Sequence, residues 1–378
     1  MQAVLPSSCK QVSSKFVTSF NHRIPGLDEL RGIAILLVLL DHSIISWAQW
    51  ARLDFLGTLG VNIFFVISGY LICTILKNDR KSPNFFRTFY VRRVFRIWPL
   101  FLVICSLGLL AGILLKQHVW DAVPYYLTFT MNFASDRTGE AMASGSNQSW
   151  LLPFTGPTWS LAIEEQFYLF LPLLVWAVSP KRLPFVVGIL CAIAAVSSLL
   201  FLYATFGEHG ALAYPNFKNT GLRIQYLGFG VLLALRPSFA YALILGWLAA
   251  AAMFFNFSGT FEIIIALFVV WLVAHTIRKG PFFTNRLLAR FGFLCFGLYL
   301  LHWPMARLLE SQLIPVFGRS IVSICILAAL FISLSYAAAS LCFKYFEYPI
   351  QKLRTRFEAP LHASNHIRSL HWNRLIKH

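Results

Sequence analysis

The sequence predicts an all-α fold: a polytopic transmembrane helical bundle of about 10 spans, with both the N- and C-termini cytoplasmic. Three observations carry this. The chain is 58% hydrophobic and 12% charged over 378 residues, with a mean hydropathy of +0.66, more apolar than a soluble globular domain sustains. Apolar runs recur from end to end, each near the roughly 20 residues that cross about 30 Å of hydrocarbon as a helix. The 32 Lys and Arg residues gather in the short segments between those runs.

Taken in order, residues 1–23 are polar, with Ser, Lys and Gln and no apolar core, so they read as a cytoplasmic segment rather than a cleaved signal peptide. The first membrane helix then serves as the insertion signal. A transmembrane unit follows over 24–350, and residues 351–378 form a basic cytoplasmic tail. The spans fall at about 27–47, 54–76, 97–115, 158–178, 184–206, 221–235, 238–256, 260–277, 288–309 and 319–343. With the N-terminus inside, 25 basic residues lie on the cytoplasmic side. Seven lie outside: Arg52, Lys116, Arg137, Lys218, Arg223, Arg307 and Arg319. That asymmetry fixes the orientation by the positive-inside rule.

Between the third and fourth spans, the semi-apolar piece VWDAVPYYLTFTMNF is short and interrupted by Pro124. It reads as an outer-leaflet or re-entrant segment rather than a span. The sequon Asn147, Gln148, Ser149 beyond it is a tripeptide common by chance, and glycosylation is not expected there. The seven cysteines show no paired close spacing, so neither a disulfide framework nor a zinc site is expected. The net charge of +17 is dispersed among loops rather than gathered on one face, which argues against a nucleic-acid partner and leaves membrane lipids as the bland one.

Ionisable residues inside spans are informative, because each costs on the order of 3 kcal/mol at mid-membrane unless paired or facing water. In LDELRGIAILLVLLDHSI, helical geometry at about 100° per residue places Asp28, Arg31 and His42 on one polar stripe, with Asp41 about 100° away from it. His42 stands roughly 21 Å from Asp28 along the axis. In LGTLGVNIFFVISGYLI, the glycines admit close helix approach, and Asn62 and Ser68 can hydrogen-bond across a bundle. In FFRTFYVRRVFRIWP, Arg93 and Arg96 are one turn apart and could clamp a phosphate group, as could lipid headgroups claim them. In GPTWSLAIEEQFYLFLPLL, Glu164 and Glu165 open a span. They could be macrodipole-favoured structural groups or partners of an imidazole.

In this order, with RIQYLGFG, YLLHWP and the closing FEYP, these segments resemble the integral membrane acyltransferase 3 family from Ile24 to Pro349. The resemblance implies an O-acyltransferase acting on hydroxyls of cell-surface sugars, glycolipids or peptidoglycan in the inner (plasma) membrane. Acetyl-CoA or another acyl-CoA is the donor substrate, a carbohydrate or lipid-linked molecule the acceptor, and no metal or permanently bound cofactor takes part. Arg93 and Arg96 would hold the donor's phosphates, with Arg31 and Asp28 at the cytoplasmic mouth and Arg87 and Arg92 as lesser contributors. His42 would act as general base or transient acyl carrier, oriented by Glu164 or Glu165. Substrate-binding or structural support would fall to Ser68, Trp159, Tyr168, Arg223, Tyr299 and His302. Where relatives carry Ser and Tyr, this chain has Cys295, Phe296 and Gly297, which narrows the expected role of that stretch to Tyr299 and His302. The chain ends 29 residues after Pro349, so it reads as a stand-alone enzyme without an added extracytoplasmic domain. The rival reading is a transporter or flippase using an intramembrane proton relay, against which the ionisable groups show no two-fold repetition.

Overall fold

The structure, a computed structural model, describes residues 24, 26–50, 53, 55–117, 119–133, 155–210, 220–254, 257–280 and 284–357. For 195, 198–210, 220–222, 247–254, 257–263 and 355 it gives the backbone alone. The polar segment 1–23, the Asn147 sequon and the tail beyond 357 lie outside the described residues.

Every regular element among the described residues is a helix. The chain runs through α1 (Leu27–Leu40), α2 (Phe55–Asp79), α3 (Phe85–Leu114), the short α4 (Val123–Leu127), α5 (Thr158–Ala177), α6 (Leu183–Gly210) and α7 (Thr220–Leu235). It continues through α8 (Pro237–Phe254), α9 (Phe257–Lys279), α10 (Arg286–Phe293), α11 (Cys295–Phe317), α12 (Ile321–Cys342) and α13 (Tyr348–Leu353). Among the described residues, five helical stretches are long and apolar enough to cross a membrane: Leu27–Ala48, Phe55–Asp79, Phe85–Leu114, Thr158–Ala177 and Ile321–Leu353. The bent pair α10 and α11 makes a sixth if it is one span. The chain is thus an all-α, multi-pass membrane protein, and large side chains such as Leu107, Leu110, Phe170, Trp176, Ile326 and Leu330 stand exposed on its rim, where lipid replaces water as the neighbour.

Three departures from the sequence reading bear on function. First, α3 begins at Phe85, not near 97, so the basic segment is the first three turns of a continuous helix. Second, the expected span 288–309 is broken at Leu294, where α10 and α11 meet at 76°. Asn285 starts α10 by accepting from the Leu287 and Leu288 amides at 2.8 and 3.1 Å, a side-chain cap that fixes the new helix direction. Third, α1 does not end as an α-helix: Asp41–Ile45 form a π turn before a last α turn over Ser46–Ala48. A π turn re-aims the side chains beyond it, and such turns recur at functional sites.

The segment 119–133 is a 3-10 turn (Trp120–Ala122) followed by α4, too short to cross a bilayer. Its Phe129 ring packs on Phe101 and Trp98 of α3 at 4.6 and 5.6 Å. Its Phe129 carbonyl and Asn132 side chain both accept from Gln166 Nε2 of α5.

The centre of the bundle is drawn together by glycine, because without a hydrophobic drive between helices in lipid, close backbone approach is what holds them. A Cβ added at Gly69 of α2 would lie 2.0 Å from the Leu227 carbonyl oxygen of α7. One added at Gly292 of α10 would lie 1.7 Å from the Asp28 carbonyl oxygen of α1. Arg223 of α7, fully buried, adds a polar tie by donating to Asn62 Oδ1 of α2 at 3.1 Å. Interhelical hydrogen bonds of this kind contribute on the order of 1 kcal/mol.

Candidate active site

Five helices enclose a cavity of about 220 Å³. From α2 come Val61, Phe64, Phe65, Ser68, Leu71, Ile72 and Ile75, residues three and four apart that form one helical stripe. From α5 come Ser160, Leu161, Glu164 and Tyr168, again one face. Arg93, Arg96 and Ile97 enter from α3, Arg31 from α1, and Cys295, Phe296 and Tyr299 from α11. The cavity is therefore an apolar slot with cationic groups from two helices and a hydroxyl and carboxylate cluster along one wall.

Glu164 hydrogen-bonds Ser68 and Tyr168 and lies in the field of Arg93 and Arg96. The Arg93 guanidinium stacks over the Tyr168 ring at 5.2 Å and the Phe89 ring at 5.7 Å, a cation–π arrangement suited to a charge removed from water. Arg31 pairs with Asp28 at 3.0 Å, as the helical spacing predicts. At the other end, Tyr299 Oη donates to the Pro157 carbonyl at 3.0 Å and meets Ser160 Oγ at 2.6 Å.

Beyond Tyr299 stands a pair of imidazoles. The Tyr299 and His302 rings have centroids 5.7 Å apart. His302, fully buried, places Nε2 at 3.0 Å from His42 Nδ1, while its own Nδ1 lies 3.1 Å from the Leu298 carbonyl oxygen. The Trp303 indole meets the His42 ring edge-on at 4.8 Å and is covered by Arg307, whose guanidinium carbon lies 5.2 Å from the ring centroid. Gly156 packs against the same indole, where an added Cβ would come within 2.7 Å. Among the described residues, no group of three His, Cys, Asp or Glu side chains is placed to hold a metal ion.

These positions sort the expected site residues. Arg31, Ser68, Arg93, Arg96, Glu164, Tyr168 and Tyr299 share the cavity, and His42 and His302 pair just beyond it. His42 is not a wall of the cavity. Glu164 and Glu165 were expected to orient His42; the His42 ring hydrogen-bonds His302. Glu164 is engaged with Ser68 and Tyr168, and Glu165 with Trp98 Nε1 at 3.2 Å. At the start of the π turn, Asp41 Oδ2 lies 3.8 Å from His42 Nε2, and its carboxylate lies against Gly57 of α2, 2.4 Å from where a Cβ would be. Trp159 packs against the core outside the cavity, and Arg223 ties α7 to α2. Cys295 and Phe296, expected to be silent, line the cavity. Ser160 was missed, although its spacing of four before Glu164 puts it on the same face of α5.

The acyltransferase domain family Acyl_transf_3 matches residues 24–340. The chain belongs to the acyltransferase 3 family. Family relatives include "Putative O-acetyltransferase SACOL0978" of Staphylococcus aureus (strain COL), 28% identical over 372 residues, which cover 87% of this chain and 57% of that protein. O-acetyltransferase OatA of Staphylococcus aureus (strain NCTC 8325 / PS 47) is 27% identical over 367 residues, again 87% of this chain and 57% of the relative. "Putative peptidoglycan O-acetyltransferase YrhL" of Bacillus subtilis (strain 168) is 32% identical over 242 residues, covering 58% of this chain and 34% of that protein. The chain thus spans little more than half the length of the first two relatives. No solved structure matches it.

Proposed function

We propose that the chain moves a short acyl group, acetyl in the first instance, from acyl-CoA on the cytoplasmic side to a hydroxyl of a cell-surface or exported glycan or glycolipid. The observation that carries this reading is the joining of Arg31, Arg93 and Arg96 to Tyr299 by one cavity, with the His42 and His302 imidazoles paired just beyond Tyr299. Guanidinium groups lining a cavity suit the phosphates of coenzyme A. The apolar stripe of α2 suits its pantetheine arm and thioester.

In the reaction, the acceptor hydroxyl gives its proton to the His42 imidazole as its oxygen forms a bond to the thioester carbonyl carbon. The C–S bond breaks, and the proton returns to the departing thiolate. A base positioned in this way contributes about 10²–10⁴ in rate. The acceptor class draws support from the relatives' names, one of which specifies peptidoglycan. The topology belonging to this reading is ten spans in the inner membrane with both termini cytoplasmic, which sets Arg93 and Arg96 toward the acyl-CoA pool. Membership in an acyltransferase family favours this reading over a carrier.

The test is transfer itself. Purified protein in vesicles, given acetyl-labelled acetyl-CoA, should release coenzyme A and label a glycan acceptor. Mass spectrometry of surface glycans from cells with and without the gene should show acetyl esters only in the former. Identical acetylation in both cell types, with no thermal stabilisation of the protein by acetyl-CoA, would refute the proposal.

A further inference from the structure

The reading of His42 as the base leaves open which of its two ring nitrogens takes the proton, and the surroundings of His302 answer that. His302 is wholly buried, and its Nδ1 lies 3.1 Å from the Leu298 carbonyl oxygen. The Tyr299 carbonyl is also within hydrogen-bonding reach of the ring. Carbonyl oxygens only accept, so His302 Nδ1 carries a hydrogen. A charged imidazolium at this depth, with no carboxylate on it, would be costly to bury, so the neutral ring has its lone pair on Nε2. That lone pair faces His42 Nδ1 at 3.0 Å. His42 must then be the donor, with its hydrogen on Nδ1 and its own lone pair on Nε2.

We infer that His302 is a positioning residue that holds His42 in the Nδ1–H tautomer and so directs His42 Nε2, as the proton acceptor, to the acceptor hydroxyl. The chain from the Leu298 carbonyl through His302 to His42 does what a buried carboxylate does for a catalytic imidazole elsewhere, orienting the ring and fixing its tautomer, but with a neutral second imidazole. Asp41 Oδ2, 3.8 Å from Nε2, is beyond hydrogen-bond length and close enough to favour the imidazolium once the proton has moved. The edge of Trp303 limits rotation of the ring from the side.

The inference rests on His42 being the base, and its test separates the two claims. In a solid-state spectrum of protein with ¹⁵N-labelled histidine in bilayers, His42, assigned by its loss in His42→Ala, should show hydrogen on Nδ1. The commoner Nε2–H form there would overturn the inference, whatever the activity of the His42→Ala protein. Two substitutions supply the kinetic arm. His302→Gln sets an amide oxygen near the former Nε2 position, so it keeps an acceptor for His42. His302→Asn keeps a polar group near Leu298 but withdraws it from His42. The glutamine variant should retain kcat within a few-fold. The asparagine variant should lose roughly 100-fold, with the KM for acetyl-CoA unchanged in both, because a wrongly presented imidazole loses rate rather than donor binding. Equal kcat in the two variants would overturn the inference.

Discussion

The Arg93 guanidinium lies over the Tyr168 ring, 5.2 Å from its centroid, and so joins the third helix to the fifth at the wall of the cavity. Arg96, one turn further on, opens on the same cavity. If the two hold coenzyme A phosphates, Arg93→Ala with Arg96→Ala should weaken acetyl-CoA binding by about 100-fold, two charge-assisted contacts at about 1.5 kcal/mol each. Calorimetry or thermal shift of the protein in detergent reads this directly. Single lysine replacements should recover part of the loss, since charge remains while fork geometry does not.

Glu164 is tied to Ser68 and Tyr168 beside Arg93. Glu164→Ala, which removes a carboxylate from beside the half-buried Arg93, should lower stability by on the order of 1 kcal/mol. Glu164→Gln, which keeps hydrogen-bonding capacity toward Ser68 and Tyr168, should cost less. Thermal unfolding gives the ranking. A Glu164→Ala protein with unchanged stability and donor affinity but no transfer would instead return this residue to a direct partnership with the catalytic imidazole.

Phe296 lines the cavity together with the stripe of α2. Replacing it with Ala should lengthen the acyl chain accepted. The ratio of hexanoyl to acetyl transfer, each from its coenzyme A ester, should rise by about tenfold, within the usual range for extra methylenes in an apolar pocket. An unchanged ratio would place the acyl group elsewhere.

Gly69 and Gly246 make a matched pair for the packing account. An added Cβ at Gly69 meets the Leu227 carbonyl oxygen at 2.0 Å, whereas one at Gly246 meets nothing within 4 Å. Gly69→Ala should therefore destabilise by roughly 1–3 kcal/mol, the usual range for overpacking. Gly246→Ala should be neutral or slightly stabilising through its helix preference. Unfolding midpoints of the two variants decide this.

Much of this was legible in the sequence, for physical reasons. A span announces itself by apolar length, and a charged residue inside one by its cost, which is how His42 and Glu164 stood out, whereas Arg93 and Arg96 stood out by their spacing of one turn beside a span. The Asp28–Arg31 pair followed from helical spacing alone. What stayed hidden depended on contacts or on irregular backbone. His302 lies 260 residues from His42 in sequence, and no periodicity connects them. The π turn at Asp41–Ile45 has no signature in hydropathy or in spacing. The start of α3 was set too late because hydropathy counts arginines as loop, although here they line a cavity within the bundle. The break at Leu294 lies between apolar residues and leaves no mark in hydropathy.

The most direct test of the central claim is a single-turnover measurement of acetyl transfer by His42→Ala in vesicles, alongside acetyl-CoA binding by the same preparation. The account predicts a loss of at least about 10³-fold in the transfer rate, within the range of general-base contributions, with binding unchanged because the arginines are untouched. Transfer at near wild-type rate with acetyl-CoA bound would contradict it.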